Sequence, residues 1–305
     1  MINYFIRRLL LVVVVIWGVM TIVFLLQKLA GDPTLILLPS DATEEARALL
    51  HQQLGLDRPF FGQYVGFLSN IAKGDLGDSW KFNQPALGVV LEALPATMLL
   101  AFSALAFGIV CAIPLGIIAA MHRDSWVDTV ATGAATIGQA MPVYWLGLLL
   151  ILVFSAQLRW FPSMGGEGFM AMVLPVVTLG LNTMARIMRI TRSSMLDVLG
   201  QDYVRTVRAK GMGEMVVLFK HALRNAAVPI VALVGLQLGG LLGGAVIVET
   251  VFSYPGIGRI AVNAVYARDF PVVQAVVLVV TLTFSLVNML VDVLCAFLNP
   301  QIRLS

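Results

Sequence analysis

Six long apolar runs constrain the fold of this chain more than any other feature of its sequence. A helix needs about 20 mostly apolar residues to cross the hydrocarbon core of a bilayer. Of the 305 residues, 59% are hydrophobic and 12% are charged, whereas soluble domains carry about 25% charged residues. The sequence therefore predicts an all-α integral membrane protein with six transmembrane helices, at about residues 8–29, 95–121, 128–157, 170–190, 227–251 and 274–297.

The positive charges predict the orientation of these helices, because loops on the cytoplasmic side are enriched in Lys and Arg. With both termini inside, twelve of the 20 Lys and Arg residues lie on the inner side, and the two short outer loops hold only Arg159, Arg259 and Arg268. Arg7 and Arg8 precede the first run without a cleavage site after it, so we expect a retained transmembrane helix rather than a signal peptide. A net charge of +3 is too small to indicate a nucleic-acid partner.

The apolar runs divide the chain into four predicted parts. These are an N-terminal transmembrane helix (1–30), an extracytoplasmic segment (31–94), a five-helix transmembrane core (95–297) that includes a cytoplasmic loop (191–225), and a cytoplasmic tail (298–305). In the extracytoplasmic segment, Asp41 to Glu44 predict a helix N-cap, Gly55 a C-cap, and Pro59 the start of a second short amphipathic helix. Two such helices are too small to form a core, so we expect them on the outer ends of the spans or against a partner.

Catalytic signatures are missing from the sequence. It has no GxxxxGK[ST] motif for ATP and no HExxH motif, and its three histidines and two cysteines, Cys111 and Cys295, are scattered. Asp292 is the one acidic residue deep in a run, and no second acid pairs with it in the pattern. We predict neither an enzyme nor a metal site.

The cytoplasmic loop is the most unusual polar segment. Arg186, Arg189 and Arg192 recur at three-residue spacing, which predicts a stripe along one helix face. Residues 201–210 then alternate apolar and basic positions at helical spacing, Gly211 and Gly213 permit a turn, and an apolar helix follows that we expect to end near residue 225, before Pro229. Such a helix–turn–helix fits either a knob that inserts into another protein or a surface that binds anionic lipid.

Residues 203–211 and 220–225 resemble the loop by which ABC-importer permeases bind their ATPase subunits. The form is similar to that of the dipeptide/oligopeptide/nickel permease family, first-permease branch of dipeptide or glutathione type. Arg205 to Val207 stand in place of the usual Glu-Ala-Ala triplet, and Arg224 stands where a proline is expected. Further matching motifs, in family order, begin at Gly31, Leu54, Gly74, Leu94, Tyr254, Arg268, Val291 and Asn299.

The resemblance implies a type I ABC importer permease in the bacterial inner membrane. It implies a second homologous permease, two cytoplasmic ATPase subunits that hold ATP and Mg, and an extracytoplasmic solute-binding protein, with no cofactor on this chain. Peptides, including dipeptides, oligopeptides and glutathione, are the implied solutes, with nickel or another small solute as an alternative. A stand-alone secondary transporter is the alternative from a different class. The implied ATPase-coupling residues are Arg205, Arg208, Lys210, Gly211 and Phe219.

Polar residues inside the runs are the candidates for lining the translocation path. Burial in lipid is costly for such groups, so they face protein or water. The candidates are Gln139, Asn182, Gln237, Glu249 and Asp292, with Glu249 near the outer mouth. Each residue fits an interhelical hydrogen bond or the lining of a path. Five glycines between 235 and 244 likewise fit close helix packing or a path wall.

Overall fold

The computed structural model describes residues 2–39, 41–165 and 168–298 and confirms the all-α prediction for them. No β-strand occurs in these ranges, which contain one isolated antiparallel bridge between Asp78 and Pro85. The cytoplasmic tail and the motif that begins at Asn299 lie outside the described residues, as does the Cys295 side chain. In chain order the helices are α1 (Ile2–Leu29), α2 (Thr34–Leu37), α3 (Glu44–Gln53), α4 (Phe60–Lys73), α5 (Ala86–Met121), α6 (Trp126–Ala140), α7 (Val143–Leu150) with the π-helix π1 (Ile151–Gln157), α8 (Phe169–Leu199), α9 (Asp202–Ala209), α10 (Glu214–Val216) with the π-helix π2 (Val217–Ala222), α11 (Leu223–Val251), α12 (Ile257–Tyr266) and α13 (Phe270–Leu298).

Five helices are long and apolar enough to cross a membrane, and six spans result if one bent pair counts as a span. The bent pair is α6 with α7 and π1, which meet at an angle of 104°. Pro142 predicts a kink at this point, but the structure shows a complete break, in which Met141 is extended with ψ 129°. Proline disfavours the α conformation of the residue before it, so the helix ends there.

The fifth span is longer than the sequence predicts. The apolar helix that was expected to end near Asn225 instead runs without interruption from Glu214 to Val251. Pro229 lies inside α11, and Pro95 and Pro114 lie inside α5 in the same way. Neighbouring helices and local adjustment can satisfy the backbone groups that a proline frees within a membrane helix. A proline is therefore a weaker end signal here than in a soluble helix.

The chain forms two compact units. Among the described residues, the first contains Leu94–Arg259 and 284–298, and therefore includes most of α5, all of α6 to α11 and the end of α13. The second contains Ile2–Ala93 and Ile260–Thr283, and therefore includes α1 to α4 and the start of α13.

In the first unit, α8 lies at the centre and contacts α6, α7 and α11. It also approaches α5 closely through small residues. A Cβ on Gly180 would lie 2.8 Å from the carbonyl oxygen of Ala104, and one on Gly116 would lie 2.8 Å from that of Met188. Small residues at such crossings let two membrane helices pack backbone to backbone. Two of the five late glycines pack similarly, since a Cβ on Gly235 would meet Val291 and one on Gly239 would meet Phe284.

In the second unit, short polar motifs fasten the loops. The hydroxyl of Ser79 donates a 2.5 Å hydrogen bond to Asp269, which is buried just before α13. Asp32 accepts hydrogen bonds from the backbone and hydroxyl of Thr34, and His51 lies 3.2 Å from its other oxygen. Burial acts to raise the pKa of Asp32, but the bonds from Thr34 and the nearby His51 outweigh it and hold this pKa below its ordinary value.

The predicted extracytoplasmic helices both exist as α3 and α4. The N-cap of α3 is Thr43, whose side chain accepts from Ala46 N, and not Asp41. A cap must immediately precede the first helical residue for its oxygen to reach the free N–H groups, and the helix begins at Glu44. Gly55 follows the helix with φ +64°, as a glycine after a helix end commonly does.

We predict that Gly180→Ala destabilises the first unit. The added methyl would meet backbone as well as the Phe107 ring, and overpacking of this kind costs about 1–3 kcal/mol. Thermal unfolding of the purified chain in mild detergent should therefore shift to a lower temperature. Gly133→Ala is the matched control, because a Cβ there meets nothing within 4 Å. Equal melting temperatures for the two variants would contradict the close crossing of α5 and α8.

Candidate functional site

The coupling segment, residues 202–222, forms two short helical pieces joined by a glycine turn. Its first piece is α9, and Gly211 follows with φ +76°, a conformation that side chains with a Cβ rarely adopt. Gly211 N donates to Arg208 O at 2.9 Å, and Gly213 then precedes α10 in an extended conformation. The predicted helix–turn–helix is therefore present, with its turn where the glycines indicate.

Buried apolar residues attach the coupling segment to the rest of its unit. Val204 in α9 is fully buried, as are Val217 and Leu218 in π2, and π2 packs against α8, α9 and α11. Asn225 donates from Nδ2 to the hydroxyl of Tyr203 at 2.6 Å and thereby ties α9 to the start of α11. The segment is thus a packed part of the structure rather than a free loop.

The outer surface of the coupling segment carries the residues that the resemblance implicates. Arg205, Arg208, Lys210, Gly211 and Phe219 are all exposed, with 51% of Phe219 accessible. An exposed aromatic side chain beside several cations is an unusual surface for a monomer and is typical of a protein contact. The sequence pattern also indicates that the side of α9 at Val204 faces the rest of the chain.

A charge pair that sequence reasoning missed crosses the glycine turn. Arg208 donates from Nη2 to Glu214 Oε1 at 2.5 Å and from Nε to Oε2 at 3.2 Å, a two-point contact between α9 and α10. The hydrogen bond to Glu214 raises the pKa of Arg208, so the guanidinium stays charged. Glu214 lies six residues from Arg208, which is not a helical spacing, and only the geometry of the turn brings the two together.

Phe219 lies in π2, where the helix carries i→i+5 bonds in place of the usual α pattern. Single-turn π segments are rare and are frequent at functional sites. Within this segment Leu218 is buried while Phe219 is exposed. Sequence periodicity assumes 3.6 residues per turn and does not predict this segment.

Polar side chains join α6 to α8. Arg192 binds Asp128 through two hydrogen bonds of 2.5 and 2.6 Å, and Asp128 is only 5% exposed. At the other end of α6, Arg189 donates to the side chain of Gln139. Asn182 donates from Nδ2 to the backbone oxygen of Gln139 at 3.3 Å. The predicted stripe of arginines on one face of a helix is therefore partly an interhelical contact, and Gln139 and Asn182 are brought together within it.

Glu249 makes hydrogen bonds within the chain. It is fully buried, and its carboxylate accepts from Thr97 at 2.7 Å, from Gly258 N at 2.6 Å and from Arg259 N at 3.3 Å. A carboxylate with these donors fastens the end of α11 to α5 and to the start of α12. Of the two roles that the sequence leaves open for Glu249, the structure supports the interhelical hydrogen bond, because close contacts surround the carboxylate on several sides. A Cβ on Gly256 would come within 2.2 Å of its carboxyl carbon.

The other two candidates for the path lie on α11 and α13. Gln237 is buried, with 9% of its surface accessible, and Asp292 is half-buried. Within the described ranges, no group of three His, Cys, Asp or Glu residues is arranged to hold a metal ion.

Comparisons with known proteins place these features in one family. The sequence model of the binding-protein-dependent transport system inner membrane component matches residues 112–304, and the model of the N-terminal region of such membrane components matches residues 1–101. The glutathione transport system permease protein GsiC of Escherichia coli K12 is 41% identical over 304 residues, and its counterpart in Pectobacterium atrosepticum is 42% identical. Each alignment covers 99% of both chains.

Solved structures support the fold. An inward-facing form of the MetNI methionine ABC transporter gives a TM-score of 0.60 at 18% identity, over 69% of this chain and 96% of that chain. An amino acid ABC transporter crystallised with histidines gives a TM-score of 0.50 at 22% identity, over 68% and 92%. At these identities the likeness concerns the fold alone.

We predict that Asp128→Ala destabilises the chain by about 3 kcal/mol, because it leaves the Arg192 cation without its partner in a largely buried site. The double variant Asp128→Leu with Arg192→Met removes both charges and should recover most of this loss. Thermal unfolding in detergent measures the stability of the single and of the double variant. A double variant no more stable than the single variant would show that the pair does not act as a unit.

Proposed function

The chain belongs to the family of binding-protein-dependent transport system inner membrane components, and we propose that it forms half of the translocation path for a peptide. As a family member it is the membrane permease of an ABC importer and works with ATPase and solute-binding subunits. The observation that carries the proposed solute class is the 41–42% identity with glutathione permeases over nearly the full length of both chains. Family membership also disfavours the stand-alone secondary transporter.

The proposed importer contains a second homologous permease, which supplies the other half of the path. Two ATPase subunits on the cytoplasmic side bind and hydrolyse ATP with Mg, and this chain binds no cofactor itself. An extracytoplasmic solute-binding protein delivers the solute. The distribution of Lys and Arg supports an orientation with both termini in the cytoplasm.

The coupling segment is the proposed contact with an ATPase subunit. Its support is the combination of a buried inner side at Val204 and Leu218 with an exposed outer side at Arg208, Lys210 and Phe219. An exposed knob that is rigidly attached transmits force, whereas a flexible loop would absorb it. Closure of the ATPase dimer would then move α8 and α11, which continue from the two ends of the segment.

The solute is tested by uptake into proteoliposomes that contain the complete importer and its binding protein. We expect ATP-dependent, saturable uptake of radiolabelled glutathione or of a short peptide, and competition between the two classes defines the preference. Uptake of a nickel complex without uptake of peptides would favour the alternative solute. Uptake that persists in the absence of ATP would contradict the coupling.

We predict that the double variant Arg208→Glu with Lys210→Glu lowers ATP-dependent uptake by about tenfold or more, because like charges placed across an interface cost several kcal/mol. The amount of the double variant in the membrane should equal that of the wild type, since both residues are exposed. The readouts are uptake, membrane content and recovery of the ATPase subunits with the tagged chain.

Two controls separate an interface effect from other causes. Glu214→Gln removes the ion pair with Arg208 but keeps the cationic surface, so it should retain most of the uptake. Arg58→Glu with Lys73→Glu reverses two exposed charges outside the coupling segment. Wild-type uptake by the Arg208 and Lys210 double variant would overturn the assignment.

A further inference from the structure

Aromatic contacts fix the place at which α4 touches the span α1. Phe60 and Phe67 are seven residues apart, about 10 Å along α4, and both rings lie against the same residue of α1, Phe24, with centroid distances of 5.6 and 5.2 Å. One residue packs against positions seven apart at shallow as well as at large crossing angles. These contacts therefore locate α4 beside Phe24, within the outer part of the span.

Adjacent residues of α4 show which of its sides faces the middle of the span. The Tyr64 hydroxyl shares a 2.7 Å hydrogen bond with Thr21, whereas Gln63 accepts from the ammonium group of Lys28. Thr21 and Lys28 are seven residues apart, about 10 Å along α1. The Tyr64 side of α4 therefore faces the membrane interior, and the Gln63 side faces the end of the span at Leu29.

The depth of α4 matches that of an interfacial helix. Phe24 lies five residues, about 8 Å, before the end of α1. Interfacial amphipathic helices place their apolar side about 5–10 Å into the boundary between headgroups and acyl chains. At this depth the side of α4 that faces inward meets hydrocarbon, and the opposite side meets headgroups and water.

The residues of α4 are apolar on the side that faces the membrane interior and polar on the opposite side. Successive residues turn by about 100° around a helix, so Phe61, Val65 and Leu68 lie beyond Tyr64 on the inward side. Phe61 is 77% exposed and Val65 64% exposed within this chain. The side beyond Gln63, found by the same rotation of 100° per residue, carries only small or polar residues: Gly62, Gly66, Asn70 and Lys73.

The geometry points to α4 as a monotopic membrane anchor, whose Phe61–Val65–Leu68 surface binds the acyl chains of the leaflet at the C-terminal end of α1. With the proposed orientation this is the outer leaflet. Depth and polarity agree on lipid. A water-exposed surface of this kind would leave two large apolar side chains, Phe61 and Val65, uncovered.

Spin labels on the assembled importer test the anchor. Single cysteines replace Phe61 and Val65 on the inward side, and Asn70 and Lys73 on the other, in a chain with Cys111→Ser and Cys295→Ser and with cysteine-free partner subunits. The complex is reconstituted in lipid nanodiscs, and retained ATP-dependent uptake shows that each labelled complex is assembled. Collision of each nitroxide with oxygen and with a water-soluble nickel chelate is then measured by electron paramagnetic resonance.

Labels at positions 61 and 65 should collide with oxygen and be protected from the nickel chelate, and labels at positions 70 and 73 should show the reverse ratio. Nickel accessibility at 61 and 65 equal to that at 70 and 73 would overturn the anchor, because that surface would face water. Protection of 61 and 65 from both reagents would also overturn it, because another subunit would cover the surface.

Discussion

The packing of α8 is the constraint on which the first unit depends. One side of this helix lies so close to α5 that Gly180 and Gly116 leave no room for a Cβ. Another side is bound to α6 through Arg192 and Asp128. At its end, Gly200 and Gln201 lead directly into α9, and π2 packs back against it. Helix packing in the span and the proposed ATPase contact therefore share one continuous element.

The contacts of α8 differ in kind. The crossing with α5 is a backbone contact, which has no alternative arrangement of similar energy because interiors are close-packed. The contact with α6 depends on side-chain hydrogen bonds to Asp128 and Gln139, and α6 is separated from α7 by a 104° bend at Pro142. Polar contacts beside a break in a helix can exchange partners at lower cost than a close-packed crossing. Within this unit, α6 is therefore joined to α8 by packing and by polar side chains together.

Much of the architecture was predictable from residues, and the failures have physical causes. Apolar runs located the five span-length helices and the bent pair, since a bilayer imposes their length, and the glycines located the turn at Gly211. The predicted end of the apolar helix near residue 225 was wrong because Pro229 does not stop a helix that lipid and neighbouring helices stabilise. The pair of Arg208 and Glu214 and the short π2 were missed because each depends on a local geometry that helical periodicity does not encode.

Several candidate path residues make hydrogen bonds within the chain because it is costly to bury polar groups in a membrane without partners. Glu249 receives donors from Thr97, Gly258 and Arg259, and Gln139 binds Arg189 and Asn182. A carboxylate or amide with these partners is held by the chain itself, and exchanging them for a solute would leave the former partners unsatisfied, at about 1–3 kcal/mol for each buried group. Such residues fix the helices relative to one another. A polar side chain in a span is therefore evidence of a hydrogen bond first, and of contact with a solute only when no such bond occupies it.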